Sequence, residues 1–344
     1  MKWRVNRTKG ARMRMESCTL IDEFSLISKY FRPLALSNPA ALGLMDDAAL
    51  LLPSSGKQIV ITCDALVGSV HFLDESTPRD VAARALRANL SDLAAMGATP
   101  VAYTLALIVP AGTDERWFKD FAAQLYEDQK KYGIFLIGGD TVVTPGPLSV
   151  SITAFGEVPV NSALTRSGAR IGDSIFVTGN IGDAYLGLRA LNGELEEDST
   201  VDVAAFVDKF CRPEPRLALA KGLLGIVTAA VDVSDGLLAD IGQLCRASDV
   251  GAIVREMAVP LSAGAKFLAG KNPGLRSKLL DSGDDCELVL VVPEANRGDF
   301  SEITKKYSVA VTEIGLITGT NEVALIDGNG TRVEREQGGY RHFF

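Results

Sequence analysis

Short apolar runs rich in β-branched residues alternate along this chain with segments of helical periodicity, and several of those runs end in an aspartate. The stretch VDVSDGLLAD, residues 231–240, shows this most plainly. Asp232, Asp235 and Asp240 stand there among apolar residues, with no Lys or Arg between them. Carboxylates are seldom left unpaired in apolar strands, because burying a charge without a partner is costly. The pattern recurs in the first half of the chain, where LMDDAALL carries Asp46 and Asp47, ITCDAL carries Asp64 and IGGDT carries Asp140. RANLSDLAAMG adds Asp92, three residues after Asn89 and therefore on its helix face.

Any one of these residues reads as a turn or cap aspartate. Five or six such segments in one chain read as a site. Clustered carboxylates repel one another unless a cation neutralises them, and a ligand set made only of oxygen selects Mg²⁺ or Mn²⁺ over zinc. Magnesium held by scattered carboxylates usually arrives with the phosphates of a nucleotide. Around Asp232 the D-x-S-D spacing places an acid at a strand end and Ser234 and Asp235 at a helix N-terminus. Free N–H groups there favour phosphate oxygens, and N-capping by Ser234 or Asp235 is the alternative. Gly138 and Gly139 permit close approach of a ligand to the backbone before Asp140. TGNIGDAYLG, Thr178–Gly187, is a Gly-rich entry to a helix that fits a phosphate cradle or a plain turn equally. GAKFLAGK, Gly264–Lys271, is not a P-loop: five residues separate its glycines, and Asn272 stands where Ser or Thr would bind magnesium. Of two histidines, His71 in GSVHFL reads as structural or as a ligand, and His342 as a tail residue.

The local patterns predict an α/β (α+β) chain of two domains, each a mixed sheet with helices packed on one side. ALGLMDDAALLLP, KQIVITCDAL, IFLIGG and LSVSITAFGEV read as strands. Thr77, Pro78 and Asp80 open a helix that Gly97 stops. A second helix runs from about Thr113 to Tyr132, with Trp117, Phe118, Phe121 and Leu125 on one face and Gly133 as its stop. The polar, Gly-rich NSALTRSGARIGD marks a domain boundary near residue 160, giving domains 16–160 and 161–344. Beyond it, strands SIFVTG, TAAVDVS, GAIVREM, CELVLVVP, VAVTEIGLITG and VALIDG alternate with helices from about Gly182, after Pro215, from Gly236, around Ala265 and from about Glu294.

Composition narrows the partners. The first 15 residues hold six basic residues and no acid, and read as a disordered leader with Met15 as a candidate start. Without them 29 basic residues face 43 acids, taking the balance from −8 to −14, which argues against nucleic acid. No apolar run approaches membrane-spanning length. Five cysteines without CxxC spacing fit a reducing cytoplasm and argue against a disulfide framework or zinc site.

Taken in order, DDAAL, D-x-L-V-x-x-x-HF, NLSDLAAMGA, LIGGDT, LTRSGA-x-x-GD, D-x-SDGL and ELVLVVP resemble the motifs of the thiamine-monophosphate kinase family. That family lies within the superfamily of aminoimidazole ribonucleotide synthetase and selenophosphate synthetase. The likeness runs from Glu23 to Phe343. It implies an N-terminal domain that dimerises through its sheet, a C-terminal domain that closes over ATP, and ATP-dependent phosphorylation of thiamine monophosphate. It further implies several Mg²⁺ ions held by Asp47, Asp64, Asp92, Asp140, Asp232 and Asp235 with support from Thr62. ATP would be contacted by Gly139, Asp140, Arg166 and Ser234, and the acceptor by His71, Asp284 and Gln337. The sequence departs from the family pattern at Met45, Cys63, Val142–Pro147, Cys286 and Gln337. A different acceptor at the same ATP site, and a nucleotide-binding dimer without turnover, are the alternatives. The chain ends in Phe343-Phe344 without a terminal Cys, and Cys18 lacks a reactive setting, which disfavours the hydrogenase-maturation and selenophosphate-synthetase relatives.

Overall fold

The computed structural model describes residues 21–195, 200–272, 274–334 and 339–340. The expected leader, Met15, Cys18, Gln337 and His342 lie outside these residues. The N-terminal half places β1 (Lys57–Val67), α1 (Pro78–Ala95), β2 (Thr99–Pro110), α2 (Glu115–Tyr132), β3 (Phe135–Thr144) and β4 (Ser149–Pro159) around a four-stranded sheet of order β1-β4-β2-β3. β2 and β3 are parallel and the other neighbours antiparallel. The helix signals act as expected. Thr77 Oγ1 accepts from the Asp80 amide ahead of Pro78, and Gly133 closes α2 in the left-handed conformation at φ +68.

Period-2 alternation splits the sheet into two faces. Val60 and Leu66 of β1, Tyr103, Leu105 and Leu107 of β2 and Val150, Ile152 and Ala154 of β4 pack on α1 and α2 in the main core. Thr62 and Asp64 lie on that same face by register, between Val60 and Leu66. Ile61, Cys63 and Ala65 face the other way and are exposed.

Residues 41–53 form no strand. Leu42, Gly43 and Leu44 all have positive φ, at 47, 67 and 54, which no extended run can adopt. Ala41, Leu44, Ala49 and Leu51 instead cover Ala102, Ile137 and Phe155 on the second face of the sheet. The apolar content of this segment is explained by capping a sheet rather than joining one.

The C-terminal half comprises β5 (Ser174–Thr178), α3 (Asp183–Leu191), α4 (Val203–Cys211), β6 (Ala229–Asp232), α5 (Leu237–Ser248), β7 (Gly251–Arg255), α6 (Ala263–Lys271), α7 (Leu275–Asp281), β8 (Leu288–Val292), α8 (Arg297–Lys306), β9 (Val311–Thr318) and β10 (Val323–Ile326). Its six strands run β10-β7-β9-β5-β8-β6, parallel only between β10 and β7. β8 reads LVLVV because it is buried on both sides. Val289 and Val291 join the α5 cluster, while Leu288, Leu290 and Val292 join the core that extends into the N-terminal half. The sequence reading left out β2, α4 and α7.

A buried ion pair ties the halves together. Arg87 of α1 donates from Nε and Nη2 to the two carboxylate oxygens of Asp128 at 3.1 and 2.8 Å, and from Nη1 to the carbonyls of Arg212 and Pro213, each at 3.2 Å. Asp128 is 1% exposed. Arg87→Met should therefore destabilise the protein by about 3–5 kcal/mol, since it strands a buried carboxylate. Urea unfolding of both proteins checks this, and an unchanged midpoint would contradict it.

Candidate active site

The carboxylates are gathered by strand order. β6 and β8 pair with Asp232 opposite Leu288, so the 282–286 loop returns beside residues 233–234. Asp284 donates its amide to the Ser234 carbonyl at 3.0 Å, and Cys286 donates its amide to the Val233 carbonyl at 3.1 Å. Gly283 is required at this crossing, because a Cβ there would lie 1.8 Å from the Ser234 oxygen. Thus VDVSD and SGDDCEL, fifty residues apart, become one ledge.

Against that ledge α1 brings Ser91 and Asp92, and β1 brings Thr62 and Asp64. Ser91 Oγ donates to Asp232 Oδ2 at 2.8 Å, and Thr62 Oγ1 donates to Asp92 Oδ2. Asp232 is 4% exposed. Its carboxyl is pushed well above the ordinary range by burial first, then by Asp92, Asp240 and Asp64. Burial, followed by Asp92 and Asp284, raises Asp64 to about 6. Asp92 is raised by burial against the opposing pull of Thr62 and Arg166. A cavity of about 480 Å³ opens here, lined by Thr62, Asp92, Thr165, Arg166 and Asp232 among others. Arg166 reaches Gln243 Oε1 at 3.4 Å.

Asp47 and Asp140 are elsewhere. β1 and β3 occupy opposite edges of the sheet, and Asp140 pairs with Ala106 on the face turned away from α1. There Asp46, Asp47, Gly138, Gly139 and Asp140 rim a second cavity of about 390 Å³ with an apolar floor that includes Ile27, Phe31, Leu44 and Leu136. Asp140 Oδ1 accepts from the Thr141 amide at 2.8 Å. Gly139 is needed for packing against the neighbouring strand, since a Cβ would fall 1.9 Å from the Leu105 oxygen. The expected metal residues therefore form two sets on opposite faces of the N-terminal sheet. Among the described residues, no three His, Cys, Asp or Glu side chains converge as a ready-made metal cage. The donor set still suits Mg²⁺, which is commonly held by one or two carboxylates, waters and substrate phosphates rather than by an all-protein cage.

Two phosphate-cradle readings are corrected by the hydrogen bonds. The amides of Ser234, Asp235 and Gly236 all donate to Asp240 Oδ2 at 3.1 Å, so an internal carboxylate occupies the helix entrance and neither Ser234 nor Asp235 is its cap. Burial and Asp235 raise Asp240 to about 7 despite those three bonds. Likewise the Gly182 and Ala184 amides donate to buried Asp285 at 2.7 and 3.2 Å, which makes Thr178–Gly187 a structural turn.

A third cavity, about 610 Å³, lies between the halves. His71, Ser234 and Asp284 line it together, with Arg84, Tyr185, Phe210 and Tyr340. Ser234, expected at ATP, thus faces the cavity expected to hold the acceptor. His71 Nδ1 accepts from the Val67 amide at 3.0 Å, which leaves Nε2 as the nitrogen that carries the proton in the neutral ring. Tyr340 has no place in the sequence-based expectation, which names Gln337 for the acceptor. Its signal was the aromatic residue three positions on, in GGYRHF.

Comparison with known proteins agrees with this architecture. Residues 45–158 match the AIR synthase related protein N-terminal domain, and residues 170–328 match the corresponding C-terminal domain. A thiamine-monophosphate kinase of Escherichia coli (strain K12) is 40% identical over 322 residues, covering 93% of this chain and 98% of its own length. The crystal structure of thiamine-monophosphate kinase from Stenotrophomonas maltophilia K279a matches with a TM-score of 0.79 at 38% identity, over 88% of this chain and 96% of that one. A structure described as AaThiL complexed with AMPPCP and TMP matches with a TM-score of 0.74 at 28% identity, over 85% and 89% of the two chains. The chain belongs to the thiamine-monophosphate kinase family, on the two-domain AIR synthase related fold.

Proposed function

We propose that the protein phosphorylates thiamine monophosphate to thiamine diphosphate with ATP, by direct in-line transfer. The observation that carries this reading is the junction itself. A cavity of about 610 Å³ is lined by Ser234 and Asp284 of the ledge against which Asp64, Asp92 and Asp232 lie, their ionisation opposed by burial. The acceptor oxygen belongs to a phosphate monoester whose second pKa is about 6, so it is already ionised at neutral pH and no general base is required. What the protein must supply is relief of repulsion between two anions.

Asp64, Asp92 and Asp232, with Thr62 beside them and Asp235 on the adjoining ledge, are the residues that would hold Mg²⁺ at the transfer point, whereas Asp47 and Asp140, on the other face of the sheet, would meet the nucleotide from a second copy of the chain. Bound Mg²⁺ supplies positive charge to the phosphate oxygens as negative charge spreads over them. Ser91 and Thr62 fix the carboxylates of Asp232 and Asp92 by hydrogen bonds, so those groups need not reorganise during the reaction. Arg166 contributes fixed positive charge beside Asp92. His71, Asp284 and Tyr340 line the space for the acceptor.

Among the described residues, the departures from the family pattern avoid that space. Met45, Cys63 and Cys286 are not among the residues lining the large cavity. Cys63 sits on the opposite face of β1, within 3.7 Å of Ser151 Oγ. That exposed face, with Ile61 62% and Val142 45% exposed, is where we place a second copy of the chain. Among the described residues no helix is long and apolar enough to cross a membrane.

A coupled assay for ADP tests the reading. With Mg²⁺ and ATP, ADP release should require thiamine monophosphate and should not be supported by thiamine. ADP release that depends only on some other phosphate or amide acceptor would contradict it, as would ATP binding with no turnover.

A further inference from the structure

Arg84, on α1, is the one Lys or Arg among the described residues lining the 610 Å³ cavity, whose wall also carries Asp281 and Asp284. It is 6% exposed. Its guanidinium lies 4.0 Å over the Phe210 ring, and Nη1 donates to the Phe210 carbonyl. The other edge, formed by Nε and Nη2, is only half used. Nη2 meets Asp284 Oδ2 at 3.2 Å, and Nε is buried with no hydrogen-bond partner. An unpartnered charged donor at a cavity wall is costly, and a fork of two parallel N–H groups matches two oxygens of a phosphate. Ser91, which holds Asp232, follows Arg84 by seven residues on α1. The two therefore share a helix face about 10 Å apart.

We propose that Arg84 is the phosphate anchor of the acceptor cavity, exchanging Asp284 for the phosphate monoester when the acceptor enters. The proposal rests on the reading of this cavity as the acceptor site. It explains how an anionic acceptor enters a cavity whose wall bears two aspartates, and it makes Arg84 the group that distinguishes a phosphorylated acceptor from its unphosphorylated counterpart.

Isothermal titration calorimetry with the full-length protein, using thiamine monophosphate and thiamine as separate probes, tests it. Arg84→Met should weaken the monophosphate about 10- to 100-fold and leave thiamine unchanged, as expected for losing a charged hydrogen-bond donor pair. Arg84→Lys, which keeps the charge without the fork, should give a smaller loss for the monophosphate alone. If Arg84→Met does not fold, the same comparison is made with Arg84→Lys. Equal weakening of both probes would show that Arg84 only packs the cavity, and no change in either would show that it does not meet the phosphate; each overturns the proposal. If the unsubstituted protein binds neither probe, the acceptor reading itself falls and the anchor falls with it.

Discussion

Asp232→Asn should lower kcat by about 100- to 1,000-fold while the ligand-free protein becomes slightly more stable. The two effects have one cause. The Asp232 carboxyl is buried at the end of β6, where burial, Asp92, Asp240 and Asp64 all oppose its ionisation. A charge kept under those conditions contributes to function, not to the fold. Asparagine retains an oxygen to accept from Ser91 and removes the charge, so the hydrogen bond at that position survives. Asp64→Asn should behave alike, because Asp64 is raised to about 6 by burial and by its acidic neighbours. Steady-state kinetics together with differential scanning calorimetry read both quantities. An Asp232→Asn enzyme with unchanged kcat would remove the carboxylate ledge from the reaction, and one that failed to fold would make Asp232 a structural residue.

The ligand-free protein should lose melting temperature as pH rises from 4 to 7, by an amount on the order of 5 °C. The sign follows from the raised groups. Asp64 moves from 3.8 to about 6 and Asp240 from 3.8 to about 7 on folding. A group whose folded pKa is raised contributes stability in full below its unfolded value, near 4, and loses that contribution as pH climbs through the folded value. The loss should therefore fall between about pH 4 and pH 7. Asp64→Asn should flatten its lower part. Magnesium with a non-hydrolysable ATP analogue should restore the melting temperature at pH 8, since it binds only the folded protein. A melting temperature that is flat or rising over this range would contradict the burial of uncompensated acids.

Much of the fold could be read from local chemistry. The Thr77-Pro78-Asp80 start and the Gly133 stop lie where capping preferences put them. Segments 41–53 and 99–110 show where local chemistry was not enough. The first is apolar like a strand, but three consecutive residues at positive φ turn it into a cover for Ala102 and Ile137. The second is β2, whose register shifts between Pro100 and Ala102, and the proline makes its start resemble a turn.

The acids of the site were legible because unpaired carboxylates in apolar strands lack a structural reason. Their division was not, because it depends on the order β1-β4-β2-β3, which sends Asp64 and Asp140 to opposite edges and faces. Nor could spacing show that Asp240 occupies the amides of residues 234–236, or that Arg84 meets Phe210 and Asp284 from the far side of the domain junction. Those contacts join residues four to two hundred positions apart.

The central claim is that this chain moves the terminal phosphoryl group of ATP onto thiamine monophosphate. The most direct measurement follows γ-³²P-labelled ATP in one mixture with Mg²⁺, thiamine monophosphate and the protein, resolved by chromatography. Label recovered in thiamine diphosphate, in equal amount with the ADP formed, is the predicted result. Label recovered as inorganic phosphate, or retained in ATP while the nucleotide is bound, would contradict it.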